Sequence, residues 1–272
     1  MCRLQSSTAG VVTSSTRARA IPVLFCSQSG NDGSPRLIFI FSDLINQDFA
    51  LFLTLVAATV FALVIGIGFH EFCHAFMATN LGDTLPRRQG RVTLNPLAHL
   101  DPAGTMMMLF VGFGWGKPVQ FNPFGLRVSP KTATLLVSLA GPLSNFVAAG
   151  LLGIPIKLGS VPYINPFSNP VVIHNQVATS GDYVGLFLTS AVYFNCILGV
   201  FNLIPIHPLD GFKVAVGLLP DDLSQEFAKL AQYGPGILMI LLLLSFYSRY
   251  SPLTQIMRPS VAWLVHFFTG VQ

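Results

Sequence analysis

Residues 49–74 read FALFLTLVAATVFALVIGIGFHEFCH, an apolar run that ends abruptly on two histidines and a glutamate. From Phe49 to Phe69 no residue carries a charge. The run is long enough to cross a hydrocarbon core of ~30 Å as a helix. The whole chain has the same character: of 272 residues, 52% are hydrophobic and only 10% charged, against about a quarter charged in soluble domains. The apolar residues fall in blocks rather than in amphipathic stripes, which points to lipid as the solvent. A net charge of +4 with no dense basic stripe excludes a nucleic-acid binder. Cys2, Cys26, Cys73 and Cys196 lack CxxC spacing, so neither a disulfide framework nor a thiolate zinc site is implied.

On the N-terminal side, residues 1–40 read as a disordered or targeting-like tail, rich in Ser, Thr and Arg, with 41–272 as one membrane domain. On the other side, residues 81–131 form a connection carrying Arg87, Arg88, Arg91, Lys117, Arg127 and Lys131. Within it Ala103–Phe113 is apolar but too short to span, and reads as an interfacial or re-entrant piece. Met106, Met107 and Met108 read as apolar packing, and Trp115 as an interfacial anchor or part of a flexible loop. Pro118–Val128 offers an extended edge against which a substrate strand could lie. Further spans are predicted over Thr132–Ile156, Tyr183–Ile204 and, at marginal length, Gly236–Tyr247. An acidic surface segment, Asp221–Lys229, precedes the last of these, and Val261–Phe268 is too short to cross alone. The expected fold is an all-α membrane protein, a polytopic bundle of about 4–6 transmembrane helices with a short re-entrant or strand element after the first. The basic loop 81–131 belongs on the inner side. Spans one and three then both end there, which brings Asp210 to the level of His70 and His74.

His70 and His74, four residues apart, project from one helix face and can share a metal ion. Glu71 lies about a third of a turn from His70, within reach of a metal-bound water without being a ligand. A polar surface helix is the plain alternative, but such residues adjoining a membrane span are costly and mark a site. Asp210 is the candidate third ligand. It sits in FNLIPIHPLDG, residues 201–211, where Pro205 and Pro208 forbid a regular helix and Gly211 permits a close approach. Alone, Pro-Leu-Asp-Gly would read as a turn. Zinc suits two neutral imidazoles and a carboxylate, with a fourth position open to water. Bound water has its pKa lowered to about 7, so a nearby carboxylate can take its proton.

Together HEFCH and NLIPIHPLDG resemble the HExxH and NxxPxxxxDG signatures of the site-2 protease family of intramembrane zinc metalloproteases (peptidase M50-like). The resemblance extends to Asn95-Pro96 through His99, Asp101-Pro102, Gly104-Thr105, Gly114-Trp115-Gly116-Lys117-Pro118 and Ala140-Gly141-Pro142-Leu143-Ser144-Asn145. It covers about Phe49–Leu219, in a compact form with no room for a PDZ or CBS domain. It implies one Zn2+ per chain on His70, His74 and Asp210, with Glu71 as general base. It also implies that Asn145 and Asn202 help position substrate or stabilise a developing oxyanion. His207 and His99 are candidates to hydrogen-bond the ligands, whereas His174 and His266 read as bystanders. The implied substrates are transmembrane proteins in a lipid bilayer, in a bacterial plasma membrane or, given the tail, an organelle membrane. Two other classes are a membrane metal-ion transporter and a catalytically silent membrane scaffold. A transporter would tolerate Glu71→Gln, and a protease would not.

Overall fold

The computed structural model describes residues 49–104, 106, 116–168, 170–247 and 252–271. The expected tail 1–40, Trp115 and most of the apolar piece Ala103–Phe113 lie outside them. The helices are α1 (Phe49–Asn80), α2 (Leu85–Arg88), α3 (Pro130–Lys157), α4 (Pro170–Gln176) and α5 (Ser180–Asn202). They are followed by α6 (Asp210–Leu218), α7 (Asp221–Ala228), α8 (Gly234–Tyr247) and α9 (Pro252–Thr269). Among the described residues there is no strand. The expected strand element is represented there by one antiparallel bridge, Leu100 to Gly116.

Among the described residues, four helical stretches are long and apolar enough to cross a bilayer: Phe49–Asn80, Pro130–Lys157, Ser180–Asn202 and Asp221–Ser245. The chain is an integral membrane protein of all-α type. The last stretch differs from expectation. The acidic segment is not a separate surface piece, because α7 runs through the 3-10 turn Lys229–Tyr233 into α8. A marginal span of 12 or so residues thereby gains the length it lacked.

Lipid cannot satisfy a backbone or side-chain polar group, so spans must satisfy their own. Here the hydroxyls and amides fold back one turn. Thr59 Oγ1 donates to the Leu55 carbonyl at 2.8 Å, Thr189 to Gly185 at 2.7 Å, and Ser190 to Leu186 at 2.7 Å. The ends are set by caps: Ser129 accepts from Thr132 N–H before Pro130 opens α3, and Thr179 with Asp182 forms a capping box for α5.

Helices α1, α3 and α5 pack against one another, with α6 against α3 and α9 against α5 and α3. Their contact is made by small residues at four-residue spacing, which lets backbones approach closely where hydrophobicity gives no drive to associate. On α1 the buried stripe is Ala58, Ala62, Gly66, His70, His74 and Ala78. On α3 it is Val137, Gly141, Asn145, Ala149 and Gly153. The two histidines thus continue a packing stripe, which buries them in the helix interface.

Segment 116–127 runs alongside the second half of α1, in the same direction. Gly116 lies against Ile67 and Glu71, Asn122 N–H donates to Asp83 at 2.7 Å, and Arg127 N–H to the Leu81 carbonyl at 3.0 Å. Buried Arg91 fastens it, donating to the carbonyls of Ala98, Lys117 (2.7 Å) and Pro118 (3.0 Å).

Candidate metal centre

His70 and His74 are one turn apart on α1, and Asp210 is the first residue of α6. Pro205 and Pro208 end helical continuity after α5. Gly211 then lets the chain fold tightly, since a Cβ there would lie 2.2 Å from the Leu203 carbonyl oxygen. Residues 140 and 136 positions apart in sequence thereby meet. Asp210 Oδ2 lies 3.0 Å from Nε2 of each histidine, and the two Nε2 atoms are 2.9 Å apart. All three side chains are buried.

His74 Nδ1 is 2.6 Å from the Val137 carbonyl oxygen, which can only accept, so the ring proton sits on Nδ1. His70 Nδ1 lies 2.7 Å from Asn145 Oδ1 and donates to it. Both Nε2 atoms therefore keep their lone pairs. Two nitrogen lone pairs and a carboxylate oxygen converge with no proton between them, which calls for a cation at the centre. Asp210 brings the negative charge of the set, through the oxygen that faces both rings. Lys213 Nζ stands 3.8 Å from its other oxygen.

Three nearly equal separations suit a metal ion better than a shared proton, which can bridge only two of the atoms. A tetrahedral zinc ion with bonds of about 2.0–2.1 Å spaces its ligand atoms roughly 3.3 Å apart. The observed triangle is a few tenths of an ångström tighter, so the donor set fits that ion with a slight expansion. Gly141 on α3 keeps the place clear. A Cβ on it would lie 2.4 Å from His74 Nε2 and 2.6 Å from His70 Nε2.

Glu71 is half-buried beside the cluster, and its Oε2 accepts from Val119 N–H at 3.1 Å. Asn145 is fully buried with both ends of its amide engaged inside the bundle, on the His70 ring and on Gly66 and Asn195. Asn202 is half-buried and donates to the Leu198 carbonyl at 3.0 Å. His99 is fully buried in the connecting loop, 2.8 Å from the Thr93 carbonyl. His207 packs edge-on against Phe212. Neither of these two rings is hydrogen-bonded to a member of the triad. Two contributors escape a motif search, the Val137 carbonyl and Asn195, while Gly141 lies in the quoted Ala140–Asn145 motif without its role being readable there. Of the two amides in the uncharged stretch 183–204, Asn202 belongs to the quoted motif, and the mid-span position of Asn195 is the signal that singles it out.

A family model described as "Peptidase family M50" matches residues 156–243, which take in the segment Asn202–Gly211. A protein of Bacillus subtilis (strain 168) named "Putative zinc metalloprotease YwhC" is 33% identical over 193 residues, 70% of this chain and 81% of that one. The chain belongs to peptidase family M50. "Putative zinc metalloprotease Rip2" of Mycolicibacterium smegmatis is 31% identical over 203 residues, 70% of each chain. The Mycobacterium tuberculosis (strain ATCC 25618 / H37Rv) protein of the same name is 28% identical over 197 residues, 68% of each chain. No solved structure matches. M50 membership makes the chain a zinc metalloprotease by family and agrees with the site-2 protease resemblance of its motifs.

Proposed function

We propose that this M50 chain is an intramembrane zinc metalloendopeptidase that hydrolyses peptide bonds of transmembrane proteins within or beside the bilayer. His70, His74 and Asp210 would hold one zinc ion, with Glu71 as general base. The observation that carries the reading is the buried convergence of two Nε2 lone pairs and a carboxylate oxygen on helices built for lipid. The curated relatives are bacterial, which supports a bacterial plasma membrane.

When bound, zinc supplies Lewis acidity: it acidifies water and polarises a carbonyl oxygen. Every other task falls to the chain. His70 and His74 present nitrogen lone pairs because their protons are committed to Asn145 and Val137. Glu71 has one carboxylate oxygen anchored by Val119 N–H, which leaves the second to take the proton of the attacking water. The same oxygen then returns it to the leaving amine. Asn202, half-buried where α5 ends, is the candidate to touch substrate. Segment 118–128 would carry an unwound substrate strand, because helical hydrogen bonds hide the peptide carbonyls.

Zinc content and cleavage of a single-span membrane substrate, measured on detergent-purified protein, test the reading. The wild type should carry about one zinc per chain, and His74→Ala should lose it. Glu71→Gln should keep its zinc and lose cleavage by about 10²-fold or more. Metal translocation surviving in Glu71→Gln without any cleavage by the wild type would favour a transporter instead.

A further inference from the structure

Asn195 has no part in the chemistry above, yet it is buried in the middle of α5 and bonded to the residue that bonds His70. The direction of each amide along this chain is fixed by backbone carbonyls, which can only accept. Asn195 Nδ2 donates to the Ala191 carbonyl at 2.9 Å, so its Oδ1 turns toward Asn145. Asn145 Nδ2 donates to that oxygen and to the Gly66 carbonyl, each at 3.2 Å, so Asn145 Oδ1 turns toward His70. His70 Nδ1 stands 2.7 Å from an oxygen that cannot donate, and must carry the ring proton itself.

The bundle is shaped around this relay. Gly66 supplies one of its carbonyls and leaves room for it, since a Cβ there would lie 3.1 Å from Asn195 Oδ1 and 3.5 Å from Asn145 Nδ2. The two histidines differ in this respect. His74 is held by a backbone carbonyl, which cannot turn over, whereas His70 is held by an amide that can. If Asn145 turned over, its NH2 would face Nδ1, and the ring proton would move to Nε2, pointing into the cluster. Two groups forbid this: the Gly66 carbonyl and Asn195 Oδ1.

We propose that Asn195 is a positioning residue: through Asn145 it fixes the proton of His70 on Nδ1 and so keeps Nε2 open as a metal ligand. This rests on the reading of His70 as a zinc ligand. The residue that reaches the metal ligand is therefore itself aimed from a third helix, so that α1, α3 and α5 all enter the coordination geometry.

The test uses the full chain purified in detergent, with zinc as the probe. Zinc affinity is measured by competition with a chromophoric chelator. In the zinc-loaded protein, labelled with 15N-histidine, the His70 Nδ1–H signal is identified by its loss in His70→Ala. Asn195→Leu should bind zinc about tenfold more weakly and lose that signal or exchange it about tenfold faster. Asn195→Asp, whose neutral carboxyl keeps one acceptor toward Asn145 and one donor toward Ala191, should restore both. If Asn195→Leu does not fold, Asn195→Ala, which adds no bulk, takes its place. Affinity within about twofold of wild type and an intact signal in the apolar variant would overturn the proposal. So would equal weakening in the leucine and aspartate variants, which would mark Asn195 as packing only. Undiminished zinc binding by His70→Ala would instead overturn the ligand reading beneath it, and the two failures are told apart in one experiment.

Discussion

A single methyl group at Gly141 would occupy the space in which His70 Nε2 and His74 Nε2 converge. The ideal Cβ lies 2.4–2.6 Å from ring atoms that have little freedom to retreat, because each ring is tethered through Nδ1. Gly141→Ala should therefore weaken zinc binding about tenfold or more. It should also destabilise the bundle by about 1–3 kcal/mol, the usual cost of overpacking. Chelator competition and thermal melting of the same preparation check both parts. Gly150, on the same helix, is the control: a Cβ there meets only the Phe268 ring, at 3.3 Å, so Gly150→Ala should leave zinc affinity within about twofold. At this scale sequence takes the reading a long way. His70, Glu71, His74 and Asp210 are legible as a candidate set because an HExxH at the end of an apolar run demands a third ligand, and the proposed one stands in the DG turn after a later span. Asn145 is legible as a site residue, but its direction is not. Only the positions of the Gly66 and Ala191 carbonyls decide which end of the amide faces the ring.

Segment 116–127 has no regular secondary structure, and its place beside α1 depends on a few polar anchors. Arg91 is the chief one, a buried guanidinium shared among the Ala98, Lys117 and Pro118 carbonyls. Asp83 is the second, through Asn122 N–H. Replacing Arg91 by Leu leaves those carbonyls without their donor and removes charged hydrogen bonds that contribute about 1.5–3 kcal/mol each. Hydrogen exchange of the amides at 117–122 should then accelerate about tenfold or more, while α1, α3 and α5 exchange as before. The Val119 N–H that anchors Glu71 belongs to this segment, so the turnover number should fall with zinc content unchanged. Normal exchange in Arg91→Leu would mean the segment is held by its apolar contacts. The helices themselves are legible to within a few residues, since block hydropathy marks α1, α3 and α5 directly. The join of α7 to α8 is not, because Asp221, Asp222 and Glu226 suggest a surface piece and conceal helical continuity. Equally concealed are the four-residue stripes of α1 and α3: in a span apolar on every side, Ala and Gly do not stand out until a partner helix shows which face they line.

At the scale of the whole molecule, the proposed metal centre ties α1, α3 and α6 together. His70 and His74 belong to α1, Asp210 to α6, and the rings are backed by Val137 and Asn145 on α3. Binding free energy at such a site is also folding free energy, because the unfolded chain cannot assemble it. With free zinc at about 100 times its dissociation constant, the native bundle gains about 2.7 kcal/mol over the metal-free form. Removing zinc also leaves three electron-rich atoms facing one another at 2.9–3.0 Å, so stripping the metal should lower the midpoint of thermal unfolding. The effect must depend on pH in one direction. All three ligands bind metal only when free of protons, so the zinc-dependent gain should be fullest above the ordinary imidazole range. It should shrink progressively as pH falls below about 6.5. Melting curves with and without a chelator, taken from pH 8 to pH 5, would show two midpoints converging as acid is added. In His74→Ala the chelator should shift nothing at any pH. Midpoints that stayed equally far apart across the range would mean that the stabilising metal sits on ligands other than these histidines.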